Sequence, residues 1–411
     1  MDWNTHFTHM LDEATQMMYG GHLMGATEAM QRALMGPLSD VPTHTHVSTE
    51  VLDALLPDRN TLTALTGLAG LTGLTGLTGL GSAQDRSADA AASAPETEAP
   101  GSFERVTLAH DGAQHHYLLY VPPGAAAGTP MPLVLMLHGC SQDADDFAAA
   151  TGMNQAAAAA NALVLYPAQA RNANPGGCWN WFESSNQHRG QGELGLMVAM
   201  VRDVMARHSV DAQRVYAAGI SAGGAMVALL GREYPEMFAA LGVHSGLQAG
   251  AADNMMAALS AMNNGAKLGP SSPSARAATH SSSALHPALI VFHGDADTTV
   301  SAKNGEQLVD AALQAALGDK RAAVQESQPG QSDAGQRFTR HLYRAVNGAD
   351  ADGDHRAADV LVEHWVLHNA GHAWSGGSAK VGQTDPRGVN ATKEMLRFFL
   401  EHPRSTAPIT Q

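Results

Sequence analysis

Basic side chains are scarce in this chain. Its 24 Lys and Arg stand against 39 Asp and Glu, for a formal net charge of -15. A field of that sign repels polyanions over most of the surface, which argues against nucleic acid as a partner. The first positive side chain is Arg32, so the N-terminus lacks the basic region and apolar stretch of a secretory signal. The default expectation is therefore a cytoplasmic protein, with an extracellular one left open for a chain already processed. Cysteine is nearly absent too. Cys140 and Cys178 are the only two, too few for a disulfide framework and without CxxC metal spacing. No metal and no organic cofactor is expected. A good transmembrane run is also missing: Thr61 to Gly81 (TLTALTGLAGLTGLTGLTGLG) is uncharged, but its Thr and Gly make it a poor span.

What the chain has instead is length and alternation. At 411 residues with 44% hydrophobic side chains, it suits an α/β enzyme with an appendage. Residues 1–36 space apolar side chains at helical intervals, with Met10, Leu11, Ala14, Met17 and Met18 before a Gly20-Gly21 break and Met24, Ala26, Met30 and Leu34 after it. A helical hairpin that packs on itself or on a partner subunit is expected. In 61–81, Leu and Gly recur every three residues, a period that fits neither a helix face nor a strand face. A flexible linker is the plain reading, and contact with an apolar surface such as a polymer granule is the sharper one. Together with the Ala, Ser, Pro and Glu-rich stretch that follows, 37–102 is expected to be a largely disordered linker.

Residues 103–402 have another texture, and 403–411 form a short tail. FERVTLAHDGAQHHYLLYVPP places two strand-like runs around Asp111-Gly112, a strong hairpin signal. Short apolar runs then recur: LVLMLHG (133–139), ALVLYP (162–167), RVYAAG (214–219), LGVHSG (241–246), ALIVFHG (288–294) and EHWVLHN (363–369). Helix-compatible segments separate them at 145–161, 194–208, 224–234, 302–316 and 391–401. This alternation predicts a mostly parallel sheet flanked by helices. Two interruptions read as loops: the end of 250–286 (GPSSPSARAATHSSS, after a Met-rich helical stretch) and 325–336 (QESQPGQSDAGQ).

The chemistry centres on Gly219-Ile220-Ser221-Ala222-Gly223. This is GxSxG between a predicted strand and a predicted helix, the context in which a strained turn lifts a serine hydroxyl above a sheet. Taken singly, the motif is nearly as often a structural turn. A serine needs a base, and the base needs an orienting acid. Downstream, HGDADTTV offers Asp295 and Asp297; Asp297 is favoured by its place in the polar loop after the strand, and Asp295 lies where it caps the turn. NAGHAWSGG then offers His372 in a Gly-bracketed loop, whereas His364 and His368 lie in or at the end of the preceding strand and read as structural. Ser221, Asp297 and His372 follow the chain order of α/β-hydrolase triads. Backbone amides for a developing oxyanion are expected from Ala222 and from the loop LMLHGCSQ, at Cys140 or its neighbour. His138 reads as a brace for that loop.

HGCSQDADDF, GGCWNWF, GISAGGAM, FHGDADTTV and GHAWSGG, in this order, resemble the esterase family of poly(3-hydroxybutyrate) depolymerases, which is related to feruloyl and acetylxylan esterases. The resemblance covers about residues 103–402. It implies an α/β-hydrolase fold, Ser221 as nucleophile, Asp297 as acid, His372 as base and an oxyanion hole at Cys140 and Ala222. It also implies a bond between Cys140 and Cys178, against the alternative of two buried free thiols. Trp179, Trp181 and Trp374 flank these motifs. Trp179 and Trp374 are candidates for a flat apolar face against an ester substrate, whereas for Trp181 core packing is at least as good a reading.

The expected function is a serine esterase acting on short-chain hydroxyalkanoate esters. The signal peptide and trailing substrate-binding domain of the family's secreted members are not seen in the sequence, which turns the expectation from crystalline polymer toward amorphous polymer, oligomers or small esters. The alternatives are a feruloyl or acetylxylan carboxylesterase and, in another class, a non-catalytic granule-associated protein built on residues 1–100. The oligomeric state has no signature in the sequence.

Overall fold

The computed structural model describes residues 100–125, 128–267, 286–318, 323–345 and 360–404. The expected hairpin 1–36, the linker as far as residue 99, the loop 269–283 and the tail from 405 lie outside the described residues. The first described elements are strands β1 (Ser102–His110) and β2 (Ala113–Val121), paired antiparallel. Asp111 and Gly112 join them with φ of 47° and 76°, the left-handed pair that a two-residue hairpin turn demands.

The middle strands are β3 (Met131–Leu137), β4 (Leu163–Pro167), β5 (Val210–Ile220), β6 (Ala240–His244), β7 (Ala288–Gly294) and β10 (Val360–Leu367). They lie in the order β4-β3-β5-β6-β7-β10 and are parallel throughout. β1 and β2 extend one side, and β9 (Arg337–Ala345) and β8 (Ala323–Gln331) extend the other antiparallel. The central strands are continuous hydrophobic runs because helices cover both faces. In β3, Leu133, Leu135 and Leu137 point to one core, with Met197, Val201 and Leu230 of α3 (Gly192–Arg207) and α4 (Ala222–Glu233). Val134 and Met136 point to the other, with Phe147 of α1 (Ala144–Thr151), Met153 of α2 (Met153–Ala160) and Phe398 of α7 (Ala391–Glu401). This is the period of two that a strand imposes. Helices α5 (Met255–Asn264) and α6 (Lys303–Leu317) lie on either side of β7 in sequence. Among the described residues, no helix is long and apolar enough to cross a membrane.

Two local expectations need correction. The segment 145–161 is two helices, because Gly152 turns left-handed (φ 63°) and its amide closes the first helix onto the Ala148 carbonyl. The segment 325–336, expected as a loop, is most of strand β8 with the turn that leads into β9. β8 is an edge strand with much of its length exposed. QESQPGQ therefore needs no apolar alternation, and Pro329 is tolerated where no further strand requires its missing N–H.

One buried carboxylate holds this end of the sheet to a helix. Glu363 on β10 accepts hydrogen bonds from Arg340 of β9 (2.6 and 3.1 Å), Arg397 of α7 (2.8 and 3.0 Å) and the Trp365 indole (3.1 Å). Its side chain is 1% exposed. Removing it would take the carboxylate from the Arg340 guanidinium and leave Arg397 only its Glu394 and Glu401 partners, so Glu363→Ala is expected to destabilise the fold by about 3 kcal/mol, read from urea unfolding of the variant beside the wild type.

Candidate active site

Parallel register brings three loops to one edge of the sheet. Ile220 at the end of β5 pairs with His244 of β6, His244 with Phe292 of β7, and Gly294 of β7 with Leu367 of β10. Ser221, Asp297 and His372 each follow one of these strand ends, so the C-terminal edge collects them, as crevices of open α/β sheets do.

Ser221 has φ 56° and ψ -121°, a conformation that a non-glycine residue adopts under strain. Its amide donates to the His244 carbonyl at 3.0 Å. The two motif glycines are there because backbone passes where side chains would be. A Cβ on Gly219 would meet the Gly223 carbonyl carbon at 2.7 Å and the Leu137 oxygen at 2.8 Å. On Gly223 it would meet the Leu137 and His138 oxygens at 2.2 and 2.5 Å. The turn is thus pressed against the end of β3, and Ser221 caps α4, whose N-terminal partial positive charge lies at the hydroxyl.

Asp297 has a fully buried side chain. Its Oδ1 accepts the Thr299 and Val300 amides at 2.9 and 2.8 Å, and its Oδ2 accepts from His372 Nδ1 at 2.7 Å. Burial alone pushes this carboxyl up, but the His372 bond and charge and the Val300 amide outweigh it and hold the carboxyl below the usual range. The ionised carboxylate therefore keeps the proton on His372 Nδ1 and leaves Nε2 as the basic nitrogen. His293 lies 3.6 Å from the same carboxylate oxygen, with its Nε2 donating to the Val300 carbonyl at 2.8 Å. Burial pushes its pKa down, so it braces the loop as a neutral ring.

Asp295 makes a separate pair. It accepts from His368 Nδ1 at 2.9 Å and from the Asn369 amide at 2.6 Å, which closes the turn leading to His372. The structure thus places the two neighbouring aspartates on two different histidines. His364 is buried in the sheet, where burial drives its pKa down to about 3.

The loop after β3 lies over Ser221. A methyl on Gly139 would sit 3.5 Å from Ser221 Cβ, and the next amide is that of Cys140. Four ties hold this loop: Gln142 Oε1 accepts the Gly139 amide (3.0 Å), the Ser141 amide donates to Gly176 (2.8 Å), Gln383 donates to the Cys140 carbonyl (3.4 Å), and Cys140 is disulfide-bonded to Cys178. His138 is buried there, stacked obliquely on Trp179 with ring centroids 5.1 Å apart.

The expectation for Trp179 and Trp374 is corrected: both are 0% exposed, so neither presents a flat face to a ligand. Trp374 is wedged between Phe147 and His244, and its indole N–H donates to Thr392 at 3.0 Å. Trp181 is buried as well. Several supporting residues had no signal in the sequence. Gln142 and Gln383 are two; Glu193 is a third, accepting from the Asn180 amide and side chain (both 2.7 Å) and from Gln169 (2.6 Å), so that it knits the Cys178 loop to the start of α3. Among the described residues, no cluster of three or more His, Cys, Asp or Glu is arranged to hold a metal ion.

The family model described as Esterase PHB depolymerase matches residues 115–327, a span that includes Ser221 and Asp297 and ends before His372. Poly(3-hydroxyalkanoate) depolymerase C of Paucimonas lemoignei is 31% identical over 255 residues, 62% of this chain and 57% of its own length. Acetylxylan esterase A of Talaromyces purpureogenus is 28% identical over 213 residues, covering 50% of this chain and 54% of that one. The chain thus spans little more than half the length of these two curated relatives. Among solved structures, an acetyl xylan esterase from Aspergillus awamori matches with a TM-score of 0.55 at 19% identity, over 72% of this chain and 99% of that one, a likeness of fold.

Two measurements check this geometry. Gly223→Ala is expected to destabilise the protein by about 2–3 kcal/mol in denaturant melts, through the clash with the β3 carbonyls. Gly382→Ala, where a Cβ meets nothing within 4 Å, is the neutral control. Thiol titration of the denatured, unreduced protein should find no free thiol, and titration after reduction should find both cysteines of the chain.

Proposed function

Because the chain belongs to the Esterase PHB depolymerase family, we propose that it is a serine esterase acting on short-chain hydroxyalkanoate esters, poly(3-hydroxybutyrate) or its oligomers, through an acyl-enzyme on Ser221. The observation that carries this reading is the 2.7 Å bond from His372 Nδ1 to the buried Asp297 carboxylate, at the sheet edge that bears the strained Ser221.

In this reading Ser221 Oγ attacks the ester carbonyl carbon while His372 Nε2 takes its proton. Asp297 holds the ring in the productive tautomer and stabilises the imidazolium that forms. The carbonyl electron pair moves onto oxygen, where the amides of Cys140 and Ala222 and the N-terminus of α4 offset the charge. Collapse of this intermediate breaks the ester C–O bond, and the departing alkoxide takes the proton from His372. Water then attacks the acyl-enzyme with His372 again as base, and the second collapse releases the acid and returns the proton to Ser221. No step in this sequence calls on a metal or organic cofactor.

The 31% identity to a poly(3-hydroxyalkanoate) depolymerase supports the hydroxyalkanoate substrate. The 28% identity to an acetylxylan esterase supports acetyl groups on xylan as the second reading. For the run 61–81 a linker role comes first, and contact with an apolar polymer surface is the second reading that its composition supports. The Cys140–Cys178 bond supports an oxidising compartment over the cytoplasmic default.

Rates on p-nitrophenyl butyrate, hydroxybutyrate oligomers, acetylated xylan and methyl ferulate separate the substrate readings. Hydroxybutyrate oligomers are expected to have the highest kcat/KM among the natural-type esters. Ser221→Ala should lower turnover by about 10⁴-fold or more on every substrate; unchanged turnover in the pure variant removes the assignment.

A further inference from the structure

Resting on the esterase reading above, we propose that His244 is a positioning residue, bonded through its main chain to the nucleophile turn and through its ring to the segment that carries the base. It ends β6 and is 0% exposed. Its carbonyl accepts the Ser221 amide at 3.0 Å. Its ring Nε2 lies 3.1 Å from the backbone amide of Ser375, which stands three positions after His372 in the chain. A single residue thus spans from the turn that strains Ser221 to the segment that follows the base.

The tautomer follows from the partners. A backbone N–H can only donate, so the Nε2 that meets the Ser375 amide must be the bare nitrogen. Nδ1 then carries the proton and donates to Ser245 Oγ at 3.2 Å. The ring plane is set independently. Phe292 stacks on it at 5.9 Å and 11°, and Trp374 at 5.3 Å and 25°, with Phe147 edge-on against the same indole at 5.4 Å. Burial, followed by the neighbouring His293 and His372, drives the His244 pKa down to about 3, so the bare nitrogen persists across the range in which a serine esterase works. An imidazole meets three demands here: an acceptor at Nε2, a donor at Nδ1, and two flat faces for the aromatic slot. Phenylalanine keeps the faces and loses the acceptor. Glutamine places an amide oxygen near the same point and loses much of the stacking.

His244 has no assigned contact with the reacting atoms, so its role is to hold Ser221 and His372 in register. Misplacement on the scale of an ångström is enough to slow such a reaction substantially. The test compares full-length wild type, His244→Phe, His244→Gln and Ser221→Ala on p-nitrophenyl butyrate, with active sites counted by a fluorophosphonate probe. In His244→Phe, kcat per titrated site is expected to fall by about tenfold or more with KM within about twofold of wild type, and His244→Gln should recover most of the loss. A purely structural role predicts fewer titrated sites, each turning over at the wild-type rate, and that result overturns the proposal, as does an unchanged kcat in a folded His244→Phe. Should His244→Phe fail to fold, the wild type decides. Nitrogen NMR of labelled histidine, with the His244 signals assigned by their loss in His244→Gln, should show the Nδ1–H tautomer. A protonated Nε2 removes the acceptor and overturns the proposal. Absence of turnover in the wild type would instead count against the esterase reading, and the tautomer measurement does not depend on it.

Discussion

The site is organised by a contact between backbones. The turn from β5 into α4 lies so close to the end of β3 that Gly219 and Gly223 leave no room for a methyl group, and the Leu137 and His138 carbonyls occupy the space. This approach strains Ser221, points the start of α4 at its hydroxyl, and lays the Gly139–Cys140 loop over it. The loop's ties to Gln142, Gly176, Gln383 and Cys178 then hold an arrangement that the glycines permit. The strain is stored locally and borne by the packed sheet around it.

The electrostatics are divided with similar economy. Two aspartates that share one turn serve two histidines: Asp297 is buried and holds His372, while Asp295 is partly exposed and closes the turn that delivers His372. Around them, His244 and His293 are buried rings that burial keeps neutral. Adding charge there would place like charges beside the His372 imidazolium that the proposed acyl transfer generates. Buried carboxylates elsewhere do structural work, with Glu363 joining β9, β10 and α7 and Glu193 anchoring the Cys178 loop.

Much of this was legible from residue order. The parallel strands are apolar runs because they are covered on both faces, and they stand out at single-sequence level. GxSxG, the aspartate turn and the Gly-bracketed histidine announce themselves by context. The β8–β9 hairpin did not, because an edge strand with polar exposed faces carries no period-two apolar signal. The helix break at Gly152 was missed for another reason. Alanine runs at 148–150 and 156–160 flank it, and the left-handed φ shows that the backbone turns there. The tryptophans misled because a large aromatic beside a catalytic motif reads equally as platform or as core.

By itself the sequence determined which groups could do chemistry and in what order they occur, since Ser221, Asp297 and His372 are particular side chains at particular turns. It also determined the doubly covered parallel sheet, because continuous apolar strands alternating with helices have few other ways to bury themselves. Tertiary structure alone decided that Asp295 pairs with His368, that Trp179 and Trp374 face inward, and that Gln142, Glu193, His244 and Gln383 brace the site. Those facts depend on distances between residues far apart in the chain, and such distances exist only once strand register has been set.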